Sequence, residues 1–116
     1  MREIKFRVWD SYWRKFDYGG GDLLLRNQNS NPVMQYTGIT DKKGREIYEG
    51  DVLCIDDWYS DTQNGIAINR IPNNRLEAVE WSVDGMWITT DSELLMEQAS
   101  ESEVVGNIYE NPELLT

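Results

Sequence analysis

A chain of 116 residues with 40% hydrophobic and 28% charged side chains has the size and composition of one folded domain. Its 21 acidic residues against 11 basic ones, with no histidine, give a formal charge of −10, which argues against the basic surface that binds a nucleic-acid duplex. No apolar run approaches the roughly 18 residues of a membrane helix, and residues 1–10 alternate charge with apolar side chains where a signal peptide needs an apolar stretch, so a cytoplasmic location is expected.

Ile4, Phe6 and Val8 alternate with Lys5, Arg7 and Trp9, the period of a half-buried strand. Residues 10–14 supply a turn, and a return strand from Lys15 sets Trp9 opposite Phe16 with Tyr12 and Trp13 at the tip. A tight turn on Asp10-Ser11 is disfavoured, because it would set Arg7 against Arg14. The polar stretch 27–32 has no periodicity and is expected to be a loop or linker.

Residues 33–37 form a second strand signal, and Asp41-Lys42-Lys43-Gly44 has the Asp-first, Gly-last pattern of a hairpin turn. Glu49-Gly50-Asp51 is a further turn, with Gly50 the positive-φ residue, and it opens the apolar strand 52–55. Cys54 inside that strand is expected to be a small buried side chain. Residues 56–65 are polar apart from Trp58 and Tyr59 and are expected to be a surface loop, followed by a short strand at 66–71.

Asp84-Gly85 between β-rich runs predicts a two-residue type I′ hairpin. That register pairs Val83 with Met86, Trp81 with Ile88 and Val79 with Thr90, and turns Trp87 to the polar face beside Glu80 and Ser82. Trp87 then either packs under the N-terminal segment or lines a partner groove. Residues 92–98 suggest a short helix capped by Asp91 or Ser92, residues 104–109 a last strand, and 111–115 a helical turn with Pro112 at its first position. Many short strands and at most one or two short helices imply a mainly β protein, a small barrel or a sheet curled on itself.

Three blocks, residues 2–10, 33–52 and 104–115, together resemble the YopX family of small phage and prophage proteins, in the same order and spacing. The resemblance implies an SH3-like barrel preceded by an N-terminal β-hairpin segment, in the cytoplasm of a bacterial host. It divides the chain into an N-terminal segment at 1–32 and a barrel at 33–116. The family's biochemical role is unassigned, so no catalytic residue carries over.

The charge is unevenly placed. All 11 cations lie in residues 1–75, and residues 76–116 hold ten acids and no Lys or Arg. The same last third carries enough apolar residues to fold, so it belongs to the core rather than to an acidic tail. The absence of histidine removes Ser-His and Cys-His dyads and ordinary zinc sets. Asp56, Asp57 and Asp61 offer a weak oxygen-ligand set for a hard cation, and the bland alternative is a solvated loop. No cofactor and no catalytic residue is expected.

Five Trp and six Tyr exceed the needs of so small a core, and Trp13, Trp58, Tyr59 and Trp87 stand out as candidate binding residues. The favoured function is a non-enzymatic protein-binding module with a host or phage protein as partner, self-association being left open. The alternatives are an acidic mimic of nucleic acid acting on a host DNA-binding protein and, further behind, a carboxylate or metal-dependent hydrolase. Neither a membrane nor nucleic acid is an expected partner. Direct nucleic-acid binding would require Arg2, Lys5, Arg7, Arg14 and Lys15, clustered near the N-terminus, to form a local basic face.

Overall fold

The computed structural model describes residues 4–19, 23 and 31–115. Most of the expected loop at 27–32 lies outside them. Ten strands account for most of the described chain: β1 (Phe6–Asp10), β2 (Lys15–Gly19), β3 (Val33–Thr40), β4 (Glu46–Tyr48), β5 (Asp51–Ile55), β6 (Trp58–Gln63), β7 (Ile66–Pro72), β8 (Arg75–Trp81), β9 (Trp87–Thr89) and β10 (Ser102–Asn107). One short helix, α1 (Leu95–Gln98), runs into a 3-10 turn at Ala99–Glu101, and a second such turn, Pro112–Leu115, ends the chain as the proline predicts.

Two four-stranded antiparallel sheets, ordered β2-β1-β3-β4 and β10-β5-β8-β9, curl into a half-barrel, consistent with a small SH3-like barrel preceded by a β-hairpin. A core of Ile47, Leu53, Ile55, Val79, Trp87, Leu95, Ala99 and Val104 lies between them, with Ile39 packed against it. The N-terminal hairpin has the expected register, Trp9 opposite Phe16. Its turn is set by Asp10, whose carboxylate accepts from the Tyr12 and Trp13 amides at 3.0 and 3.1 Å.

β1 is buried on both faces, where alternation predicted one. It is a central strand, flanked by β2 and β3, and Arg7, Val8 and Trp9 are all buried. Arg7 reaches Asp51 at 2.5 Å, and its guanidinium lies 4.2 Å from the Phe16 ring centre and 4.6 Å from that of Tyr48. Lys5 pairs with Glu46. Lys5 and Arg7 are thus engaged in internal contacts, while Arg14 and Lys15 are exposed.

The Asp41 turn closes the free edge of β10. Lys42 N–H donates to the Ser102 carbonyl, and the Asp41 carboxylate accepts from the Val104 amide at 2.9 Å as well as from Lys43 and Arg45 within its own turn. Gly50 takes the expected positive φ, 85°. Thr37 donates to the Ile47 carbonyl at 2.8 Å, so Tyr36-Thr37-Gly38 and Glu49-Gly50-Asp51 serve packing and turns.

Four further expectations need correction. The β8–β9 hairpin pairs Val79 with Thr89, Glu80 with Ile88 and Trp81 with Trp87, one residue out from the predicted register. Only Gly85 has a positive φ, 79°, and Gly85 N–H bonds back to the Ser82 carbonyl, which is a type I turn closed by a glycine bulge. The extra loop residue brings Trp87 onto the face of Trp81, ring centres 4.7 Å apart, and buries it at 8% exposure.

The expected loop at 56–65 is mostly strand. β6 and β7 form a long hairpin around Asn64-Gly65, both at positive φ (54° and 79°), as a two-residue type I′ turn requires. The short helix has no side-chain cap: Leu94 is the N-cap, and Ser92, at φ 64°, sits in a turn whose amide bonds to Thr89. Cys54 is half-buried on the outer side of β5.

Candidate binding surface

The β6–β7 hairpin leaves the body as an arm. Every residue of β6 is exposed, and in β7 only Ile71 is half-buried. The molecule measures 62 × 34 × 27 Å with a radius of gyration of 16.9 Å, against about 13 Å for a compact domain of this length.

Pairing of Trp58 with Pro72 and Ser60 with Arg70 places these four on one face of the arm; beyond them the register shift between Asp61 and Thr62 leaves Ile68 in a bulge and sets Ile66 opposite Gln63. Trp58, Ile66 and Ile68 are all about half or more exposed. The Arg70 guanidinium lies over the Trp58 ring at 3.9 Å, which holds the indole upright without removing it from solvent. Tyr59, paired with Ile71, occupies the opposite face. At the arm's base Asp56, Asp57, Trp58, Arg70, Pro72 and Glu101 line a cleft of about 260 Å³. Sequence reasoning picked out Trp58 and Tyr59 and missed Ile66 and Ile68. The Asn64-Gly65 dipeptide was the available signal.

The other candidates lie apart. Trp13 is exposed at the β1–β2 turn, edge-on to Tyr12 at 4.9 Å. Trp87 is a core residue that shows one side to a groove next to Trp81. The structure does not bring Asp56, Asp57 and Asp61 together as ligands. Asp56 pairs with Lys42 at 2.7 Å and raises its pKa, Asp57 faces Arg75 Nε at 3.4 Å, and Asp61 stands out along β6.

Among the described residues, carboxylates converge instead at Glu77, Asp91 and Glu93. Arg75 Nη1 sits among them at 3.0, 3.3 and 2.6 Å, so a guanidinium occupies the centre of the cluster and offsets part of its charge, and the Glu93 hydrogen bond raises the Arg75 pKa. Asp41 is held below its ordinary value: burial works to raise it, but the Val104, Arg45 and Lys43 amides and the Arg45 charge outweigh that effect. Burial pushes Asp51 up, against the opposing charge of Arg7. Both acids serve the fold.

No helix among the described residues is long and apolar enough to cross a membrane. No curated protein matches the chain. In fold it is similar to a solved structure, the crystal structure of protein EF1440 from Enterococcus faecalis, at 22% identity and a TM-score of 0.67, over 100% of both chains. The family model described as YopX protein matches residues 20–116, most of the sequence. The blocks at 33–52 and 104–115, which build the Asp41 turn, the Gly50 turn and the β10 edge, fall inside that match, and the chain belongs to the YopX family.

Proposed function

We propose that this chain is a non-enzymatic protein-binding module, a phage or prophage accessory protein of the bacterial cytoplasm, and that the β6–β7 arm is its recognition element. The observation that carries the reading is an arm with both faces in water, bearing Trp58 on one side, Tyr59 on the other, and exposed Ile66 and Ile68 toward its tip. A two-stranded ribbon standing alone is marginally stable in water and does little for the fold beneath it, so its exposed aromatics are better explained by a partner. Residues 58–72 carry only Asp61 and Arg70, and this neutral arm on a molecule of charge −10 can approach a protein of either sign. In this reading the hairpin segment at 1–32 and the barrel at 33–116 form the base that holds the arm.

Acidic mimicry of nucleic acid has less behind it. Of the ten acids after residue 75, Glu77, Asp91 and Glu93 are held by Arg75 and Glu103 by Lys43, which removes four from any free array.

Affinity capture from cells carrying the gene, with the native chain and a Trp58→Ser/Ile68→Ser variant side by side, tests the proposal. Both side chains are exposed, so the variant should melt within a few degrees of the native protein. The expected result is a host or phage protein recovered by the native chain and lost by the variant. Recovery of the same proteins by both would refute the arm's role.

A further inference from the structure

Beside the β8–β9 hairpin, two adjoining hollows, which share Trp81, Met86 and Leu94 as lining, make up a groove in two parts. The inner part, about 180 Å³, also takes in Trp87 and Met96. The outer part, about 460 Å³, carries Glu80 and Asp84. The one-residue shift of the hairpin creates this surface, because it sets Trp81 against Trp87 and leaves Trp81 half exposed.

The lining has two chemical characters. Trp81 is 49%, Met86 42% and Met96 69% exposed, a contiguous apolar surface in which the methionines can repack around different side chains. Two carboxylates and no lysine or arginine line the groove, in a part of the chain that holds no cation after Arg75. A third observation concerns Trp87, which lines the inner part and is more than nine-tenths buried. Its indole N–H has no acceptor among the described residues. A buried donor left unpaired costs about 1–3 kcal/mol, and a polypeptide segment brings a carbonyl acceptor at every residue.

We propose that this groove binds a cationic amphipathic segment of a partner protein, with its apolar side chains against Trp81, Met86 and Met96 and its lysines or arginines toward Glu80 and Asp84. Charge complementarity selects the occupant: an acidic segment, or a second copy of this chain, would bring negative charge to a negative rim. The groove shares no lining residue with the cleft at the base of the arm, so the two surfaces can be tested apart.

Titration calorimetry of the full chain with an amphipathic leucine-lysine peptide, and with a leucine-glutamate peptide of the same pattern, provides the test. The leucine-lysine peptide should bind at least about ten-fold tighter, and its affinity should fall with added salt. Trp81→Ala and Met96→Gln should each weaken it, Trp81→Ala by about ten-fold. Met96, the more exposed of the two, keeps the test decisive should Trp81→Ala fail to fold.

Glu80→Gln/Asp84→Asn should weaken binding about five-fold, whereas Glu101→Gln/Glu110→Gln, which removes the same charge outside the groove, should change it less than about two-fold. The arm variant Trp58→Ser/Ile68→Ser should bind the peptide as the native chain does. Equal effects from the two acid pairs would reduce the attraction to net charge and overturn the proposal, as would equal affinity for the two peptides. Sedimentation showing a dimer that Trp81→Ala dissolves would assign the groove to a second copy instead.

Discussion

Arg7→Met is expected to lower the unfolding free energy by about 3–5 kcal/mol, the range for breaking one partner out of a buried ion pair. The side chains of Arg7 and Asp51 are 5% and 2% exposed, and the pair spans from the first strand of the N-terminal hairpin to the first strand of the second sheet. Without the guanidinium, the donors left to Asp51 among the described residues are neutral, the Tyr48 amide at 2.8 Å and the Asn107 side chain at 3.5 Å. The rings of Phe16 and Tyr48 would lose the cation between them as well.

The pH dependence has a definite sign. Burial already raises the Asp51 pKa, and Arg7 is the largest influence opposing it, so the variant's Asp51 rises further. A carboxyl whose folded pKa is raised favours folding most when protonated, and that contribution is lost as pH rises from the unfolded value through the folded one. Urea unfolding of Arg7→Met should therefore show stability falling more steeply with rising pH across the acidic range than in the native chain. Adding Asp51→Asn should recover part of the loss by removing the stranded charge. A cost below about 1 kcal/mol for Arg7→Met would mean that the pair does not tie hairpin to barrel.

The second large effect is expected at Asp41. One carboxylate oxygen accepts from the Lys43 and Arg45 amides and the other from Val104, each at 2.9 Å. In Asp41→Asn the amide nitrogen must replace one oxygen and meet a backbone N–H donor to donor. A cost of about 2–3 kcal/mol follows, the worth of a hydrogen bond to a charged group plus an unpaired donor. The Asp41 pKa is depressed, so its contribution is complete above the unfolded value of 3.8 and disappears as pH falls through the folded one. Acid titration followed by tryptophan fluorescence should give a shallower loss of stability below about pH 5 in the variant than in the native chain. Parallel curves would place the acid sensitivity elsewhere.

What could be read from the chain divides along physical lines. Local chemistry was legible: Asp10 and Asp41 set turns through their own carboxylates, Gly50 needed positive φ, and Pro112 opened a final turn. The β8–β9 register was not, because Asp-Gly serves both a two-residue I′ loop and a three-residue loop with a glycine bulge. Burial of Val79, Trp87 and Thr89 on one face is satisfied by the second. The arm escaped for the opposite reason: strands wet on both faces have no apolar alternation to reveal them. Arg7 escaped because its partners Phe16, Tyr48 and Asp51 lie on three other strands. Of the candidate surface, Trp58 and Tyr59 stood out as aromatics in a polar stretch, while Ile66, Ile68, Trp81 and Met96 became visible only once pairing and packing placed them in water.

The most direct test of the binding account is site-specific photo-crosslinking in cells carrying the gene. A photoreactive amino acid would replace Tyr59 or Ile68 on the arm and, as controls, the exposed residues Lys15 on β2 or Val105 on β10. The account predicts one recurrent protein adduct from the arm positions and none from the controls. No adduct from the arm, or the same adducts from all four positions, would contradict it.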